Sequence, residues 1–142
     1  MNKKDTVVFD LDGTLLDTLE DLKNSVNYAM TQCGYPEHTL DEVRRYVGNG
    51  ILLLMQRAIP GGKDDPNFDK AFTLFKEHYG KHCNDTTKPY AGIMELLHTL
   101  KENNIKIAIV SNNADFAVKE LNAIYFKDLI PVAIGEKESE GI

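Results

Sequence analysis

The sequence predicts an α/β chain, part of an open parallel sheet interrupted after its first strand by an inserted helical cap domain. Three observations predict it. Thr6 Val7 Val8 Phe9 and residues 105–110 are short apolar runs without strict alternation, as in strands buried on both faces of a parallel sheet. Between them apolar residues recur at steps of three and four, the helical period. From the first run onward, the core segments read strand, helix, strand, helix, strand, the order of an open α/β sheet.

The first strand stops at a polar turn, Asp10 Leu11 Asp12 Gly13 Thr14. From Leu19, the positions Leu22, Val26, Met30 and Cys33 mark an amphipathic helix that Gly34 and Pro36 end. Thr39 and Glu42 have the spacing of a capping box for a second helix carrying Leu40, Val43 and Val47. Gly48 Asn49 Gly50 breaks the chain before a short apolar helix over residues 51–58. Residues 60–66 are a loop by composition, with Asp65 expected as the cap and Pro66 in the first turn of the next helix. That helix carries Phe68, Ala71, Phe72, Phe75 and Tyr79 on one face, which reads as cap core. After a linker at 84–89 and Gly92, residues Ile93, Leu96, Leu97 and Leu100 line a further helix. The second strand, 105–110, is expected to stop at Ser111 Asn112 Asn113. A helix through Phe116, Val118 and Leu121 leads to a third strand over 129–134, whose Pro131 suggests an edge. The cap is therefore placed at residues 17–88 and the α/β core at 1–16 and 89–142; the acidic end, 135–142, shows no terminating structure.

The 142 residues are 42% hydrophobic and 27% charged, the balance of a globular protein with one main core. A formal net charge of -6 argues against a surface built to grip nucleic acid or anionic membrane, which needs clustered Lys and Arg. Only Cys33 and Cys83 are present, too few to staple a scaffold, which fits a reducing compartment. The start lacks a signal-peptide core and no apolar stretch approaches a membrane span, so a cytoplasmic place is expected.

Ligands of open parallel sheets bind beyond the carboxyl ends of the strands. Asp10 and Asp12 follow the first strand; Ser111 and Asn112 follow the second, ahead of helix amides that favour an anion. A phosphoryl group fits between them. A carboxylate such as Asp10 can attack phosphorus if a cation and hydrogen-bond donors offset the repulsion of two anions. Asp12 can protonate the leaving oxygen and then take a proton from the hydrolytic water. Gly13 allows the tight turn, and Thr14 can hold the nucleophile's geometry. Mg²⁺, hard and oxygen-preferring, is the expected metal. An Asp-x-Asp after a strand also occurs in nucleotide-sugar sites and calcium loops; Gly13, Thr14 and the second cluster weigh against both.

Residues 8–18, Val8 Phe9 Asp10 Leu11 Asp12 Gly13 Thr14 Leu15 Leu16 Asp17 Thr18, resemble the first motif of the haloacid dehalogenase superfamily, in its phosphatases with a helical cap after that motif. Ile109 Val110 Ser111 Asn112 is similar to the second motif, and Pro89 Tyr90 Ala91 Gly92 to the return from cap to core. Tyr46 Val47 Gly48 Asn49 Gly50 resembles the phosphoglycolate phosphatase branch. The resemblance implies a partial Rossmann-like core and Mg²⁺-dependent hydrolysis of a small phosphorylated metabolite, with phosphoglycolate the first candidate. It implies Asp10 as nucleophile and metal ligand, and Asp12 as acid/base and metal ligand through its carbonyl. Thr14, Ser111, Asn112 and Asn49 would bind substrate. An acid at Asp12 separates phosphatases from the dehalogenases and phosphonate hydrolases of the superfamily.

The superfamily completes its site with a third-motif lysine and fourth-motif acids. After Ser111 the lysines are Lys119, Lys127 and Lys137, none before proline, and no acidic pair follows a further strand. Asn113 stands where many relatives carry lysine. The chain is thus expected to be truncated before the third motif, with little turnover of its own. A catalytically inactive short form that binds phosphate metabolites or a partner is an alternative, as is a sugar-phosphate mutase. The open sheet edge of a truncated sheet invites self-association.

His78 and His82 stand four apart beside Cys83, a spacing that can bind zinc, although a solvated helix face is its commoner use. Arg44, Arg45 and Arg57 could meet a substrate carboxylate from the cap, a surface role being commoner for each.

Overall fold

The computed structural model describes residues 5–137. Two compact units divide the chain: one holds everything up to Asp17 together with the chain from Lys88 onward, the other is Thr18–Thr87. The expected acidic tail at 138–142 and the reading of Met1–Lys4 lie outside the described residues.

In the first unit, β1 (Thr6–Phe9), β4 (Lys106–Ala114) and β5 (Val132–Glu136) form a parallel sheet in the order β1-β4-β5. Thr6 to Phe9 pair with Lys106 to Ile109, and Ala108 to Ile134's partner Val110 pair with β5. Helices α5 (Ile93–Glu102) and α6 (Asp115–Tyr125) pack on β4, and α6 also on β5. They cover one face, where Ile107, Ile109 and Ala133 are buried with Leu97, Val118, Leu121 and Phe126. The other face is bare among the described residues: Val8, Val110, Val132 and Ile134 are about half exposed. The expectation of strands buried on both faces is therefore corrected. The apolar runs are right for a parallel sheet, but α5 and α6 supply only one covering layer. Pro131 stands just before β5, which is an outer strand, consistent with its missing N–H.

Two further departures concern strand limits. β4 runs on through Ser111, Asn112 and Asn113, which the sequence reads as a turn; Ala114 still pairs with Glu136 after an irregularity beyond Val110. Ser111–Asn113 lie in a register shift of the ladder, between the Val110–Ile134 and Ala114–Glu136 pairs. β2 (Leu16–Asp17) pairs antiparallel with β3 (Lys88–Pro89), Leu16 opposite Pro89 and Asp17 opposite Lys88, a ribbon too short to leave a pattern in the sequence.

The second unit is helical: α1 (Leu19–Gln32), α2 (Leu40–Tyr46), α3 (Ile51–Ala58) and α4 (Phe68–His82), with a 3₁₀ turn at Gly62–Asp64. α1 packs on α2 and α4, and α3 on α2 and α4. Leu22, Val26, Met30, Val43, Leu54, Met55, Phe75 and Tyr79 fill its core. Gly34, at φ +79, ends α1 in a Schellman arrangement: the Tyr35 N–H reaches the Met30 carbonyl at 2.9 Å and the Gly34 N–H that of Thr31 at 3.2 Å. The Thr39/Glu42 capping box is present, with the Glu42 N–H on Thr39 Oγ1 at 3.2 Å and the Thr39 N–H on Glu42 Oε1 at 2.8 Å. Asp65 does not cap α4; Asn67 stands at the N-cap position, without a side-chain capping bond. Asp65 instead accepts from the Asn67 N–H at 2.8 Å and the Tyr35 hydroxyl at 2.6 Å, pinning the loop.

The ends of the helical unit are held by Asp21, a residue with no sequence signature. Its carboxylate is 1% exposed and accepts from the backbone N–H of Thr86 and Thr87, at 2.9 Å each to Oδ2, and from both hydroxyls, at 2.9 and 2.7 Å.

Candidate active site

The site is assembled at the carboxyl ends of β1 and β4. Phe9 pairs with Ile109, so β1 leaves the sheet into Asp10–Thr14 beside Ser111–Asn113, the polar last part of β4. The turn after β1 is wound on one carbonyl: the N–H groups of Leu15 and Leu16 both reach the Leu11 carbonyl at 3.0 Å. Leu11, Leu15 and Leu16 are fully buried and anchor it. Gly13 adopts φ +77, a conformation costly for a residue with a Cβ, and its N–H reaches the Leu16 carbonyl at 2.9 Å.

Anchoring by leucines leaves the polar residues between them outward. Asp10 is exposed, one carboxylate oxygen accepting from the Leu11 N–H at 2.8 Å. Asp12 is half-buried and Thr14 exposed in the same turn. Across the strand gap, Asn113 Nδ2 donates to Asp12 Oδ1 at 3.2 Å. Asn113 is 4% exposed and doubly fixed: its N–H reaches Ser111 Oγ at 3.0 Å, and its Oδ1 accepts from the Ala114 N–H at 2.7 Å.

Because β4 continues through this segment, its side chains alternate. Ser111 and Asn113 are buried while Asn112 is exposed on the opposite side, so Ser111 and Asn112 do not share a face. Sequence reasoning paired the two and noted Asn113 only as a departure. The geometry makes Asn113 the residue that joins the clusters, a link between positions 101 apart that no local signal carries. Asn49 stands in the helical unit, exposed between Gly48 and Gly50, which have φ +110 and +94. Arg44 binds Asp41, and Arg57 donates to the Tyr46 carbonyl at 2.7 Å.

The N-terminus of α6 starts at Asp115, without a side-chain cap. Asp115 turns to the β5 side, accepting from Lys119 Nζ at 2.7 Å and the Gly135 N–H at 2.8 Å. Its partial burial pushes its carboxyl upward, but Lys119 and the Gly135 N–H outweigh this and hold it below the usual range. Gly135 is needed there, since a Cβ would lie 2.6 Å from both the Asn113 carbonyl oxygen and Asp115 Cα.

Asp10 and Asp12 form an oxygen-only donor set. Mg²⁺ takes one or two carboxylates and completes its octahedron with water and phosphate oxygens, so these residues fit it. No group of three or more His, Cys, Asp or Glu placed to hold a metal exists among the described residues.

A family model described as haloacid dehalogenase-like hydrolase matches residues 7–142. The chain belongs to that family. Within it, the chain is 35% identical over 113 residues to a phosphoglycolate phosphatase of Thiobacillus denitrificans, covering 77% of this chain and 50% of that one. It is 33% identical over 133 residues to a phosphoglycolate phosphatase of Nitrosospira multiformis, covering 90% and 59%. The crystal structure of a predicted phosphoglycolate phosphatase from Haemophilus somnus 129pt superposes with a TM-score of 0.86 at 28% identity, over 95% of this chain and 64% of that one. The chain thus spans about half the length of the curated relatives it matches. No helix among the described residues is long and apolar enough to cross a membrane.

Proposed function

We propose that the chain carries the nucleophile and phosphate-binding portion of a phosphoric monoester hydrolase acting on a small phosphorylated metabolite, phosphoglycolate first. The observation that carries this reading is the Asn113–Asp12 hydrogen bond, which joins the two polar clusters at neighbouring strand ends. In the proposed reaction Asp10 attacks phosphorus, forming an aspartyl-phosphate as the ester P–O bond breaks. Asp12 gives its proton to the departing alkoxide oxygen. Water then attacks the phosphorus of the aspartyl-phosphate, Asp12 takes its proton, and phosphate leaves with Asp10 restored. Asn113, by donating to Oδ1 of Asp12, orients that carboxyl toward its proton transfers. Thr14, Ser111 and the exposed Asn112 are proposed to bind substrate. When bound between Asp10 and Asp12, Mg²⁺ would supply positive charge against the repulsion of nucleophile and phosphate.

The test is phosphate release from a panel including phosphoglycolate, with and without Mg²⁺, by the complete reading frame that contains this chain. Asp10→Asn should abolish it. Activity without Mg²⁺, or intact activity in the variant, sinks the mechanism; phosphate appearing on a sugar instead of in solution makes the protein a mutase.

A second reading, of an inactive short form that binds phosphate metabolites, applies to the 142 residues alone and has an observation in its favour. The ammonium of Lys119 is held by Asp115 and by the Ala133 carbonyl at 3.0 Å, in the joint of α6 with β5. It is committed to the fold. Robust turnover by a preparation of verified mass would refute this reading. Self-association is proposed through β1 or β5, the outer strands of the sheet among the described residues.

A further inference from the structure

Asn49 is followed by Gly50 in the loop that enters α3, and both groups needed for an intramolecular reaction are open there. The Asn49 side chain is exposed and has no hydrogen-bond partner among the described residues. The Gly50 N–H has none either. As the N-cap of α3 it stands outside the helical ladder, and only its carbonyl is used, accepting from the Leu54 N–H at 3.1 Å. Gly48 at φ +110 and Gly50 at φ +94 hold conformations that L side chains rarely adopt, and no Cβ shields the Gly50 nitrogen. Elsewhere among the described residues the N–H after an asparagine is engaged. After Asn103 it reaches the Lys101 carbonyl at 3.0 Å, after Asn104 the Leu100 carbonyl at 3.0 Å, and after Asn112 the Ser111 Oγ at 3.0 Å. After Asn67 and Asn84 it closes on the carbonyls of Asp65 and His82, at 3.0 and 3.3 Å. Asn113 holds the next N–H with its own side-chain oxygen, and the others lie inside helices, whose ladder takes it.

We propose that Asn49 and Gly50 form a site of spontaneous modification, at which the folded chain exchanges a side-chain amide for a carboxylate. Base removes the Gly50 N–H proton, and the nitrogen attacks Cγ of Asn49. The N–Cγ bond forms, the Cγ–Nδ2 bond breaks, and Nδ2 takes a proton from water and leaves as ammonia. Water then opens the five-membered imide at either carbonyl, giving aspartate or its isomer with the main chain routed through Cγ. Nothing is oxidised or reduced, and water is the one co-reactant. Each event makes the formal net charge of -6 one unit more negative. The new charge stands beside the N-terminus of α3, where the helix dipole favours an anion, so the aspartate product is compatible with the fold. The isomer instead adds a methylene to the main chain between Gly48 and Gly50 and changes the entry to α3.

The test is incubation of the 142-residue chain at mildly alkaline pH, with and without denaturing urea, followed by proteolysis and mass spectrometry of the asparagine-containing peptides. In the folded chain Asn49 should convert at least about tenfold faster than Asn103 or Asn112, the factor that one retained hydrogen bond of about 1.4 kcal/mol at the following amide supplies. Unfolding separates the fold's part from that of the sequence. It should change the Asn49 rate by less than about threefold, while the rates at Asn103 and Asn112 rise about tenfold as their amides are released. Asn49→Gln, whose longer side chain must close a six-membered ring, should lose the principal acidic species that ion exchange separates from the aged wild type. No conversion at Asn49, a rate there that rises about tenfold on unfolding as at the protected sites, or an acidic species undiminished in Asn49→Gln overturns the proposal.

Discussion

Replacing Asp21 with alanine should cost the chain about 3 kcal/mol of stability. Four donors converge on its carboxylate, and hydrogen bonds to a charged acceptor are each worth roughly 1.5–3 kcal/mol. Their sum overstates the loss. Thr86 is exposed, so water replaces the acceptor for its groups, and the Thr87 hydroxyl has the Cys83 carbonyl within 3.0 Å. Removing a carboxylate that is 1% exposed also returns its desolvation cost. What remains is chiefly the Thr87 N–H, in a residue 5% exposed, and the loss of charge assistance, roughly 2–4 kcal/mol together. Asp21→Asn keeps one accepting oxygen and the shape but loses the charge and turns an NH₂ toward donors, for about 1–2 kcal/mol. The chain has no tryptophan, so urea unfolding is followed by far-ultraviolet circular dichroism. At a slope of about 2 kcal/mol/M the alanine variant's midpoint should fall by about 1.5 M. A midpoint shift under about 0.3 M, or an asparagine variant less stable than the alanine one, refutes the reasoning.

Three further outcomes are expected. Asn113→Ala, by removing the donor to Asp12, should lower phosphate-ester turnover of the complete protein through kcat more than KM, while its effect on thermal melting stays near 1 kcal/mol; an unchanged kcat would detach Asn113 from the site. Gly135→Ala should destabilise by roughly 1–3 kcal/mol, because its Cβ meets backbone atoms of Asn113 and Asp115 at 2.6 Å that cannot swing aside; a melting temperature equal to wild type would show that the joint is loose. Asp115, whose pKa in the fold lies below its free value of 3.8, contributes stability that is present above that value and fades as pH falls through the lower folded value. Asp115→Asn should therefore lose stability relative to wild type at pH 6 and converge with it in strong acid; a pH-independent difference would mean that the charge is not responsible.

How much of this was legible from residues follows the range of the interactions. The capping box of Thr39 and Glu42 and the end of α1 at Gly34 depend on neighbours within a few positions, and the sequence foretells them. The polar turn from Asp10 is equally local, its shape set by Gly13 and by three leucines. Asp21 was invisible because its partners stand 65 and 66 positions away. The extension of β4 through Ser111–Asn113 is illegible for a similar reason, since the strand resumes its pairing only at Ala114 with Glu136, far along the chain. Asn113 was seen merely as an absent lysine; its role depends on a partner in another segment. Asp65 carried a cap-like spacing before Pro66, yet its carboxylate is taken by Tyr35 and Asn67.

The Asp21 clasp and the β2–β3 ribbon bear on how the chain reaches its fold. β1 and β4 must pair although Thr18–Thr87 and α5 lie between them, which on a random chain is a long loop to close. A helical unit that draws its own ends together at Asp21 converts that excursion into a short splice. For β1 the effective separation from β4 is then little more than the ribbon and α5, and the sheet nucleates at the contact order of an uninterrupted α/β chain. Weakening Asp21 would therefore slow sheet formation as well as loosen the helices, a kinetic debt incurred far from the strands that bear it.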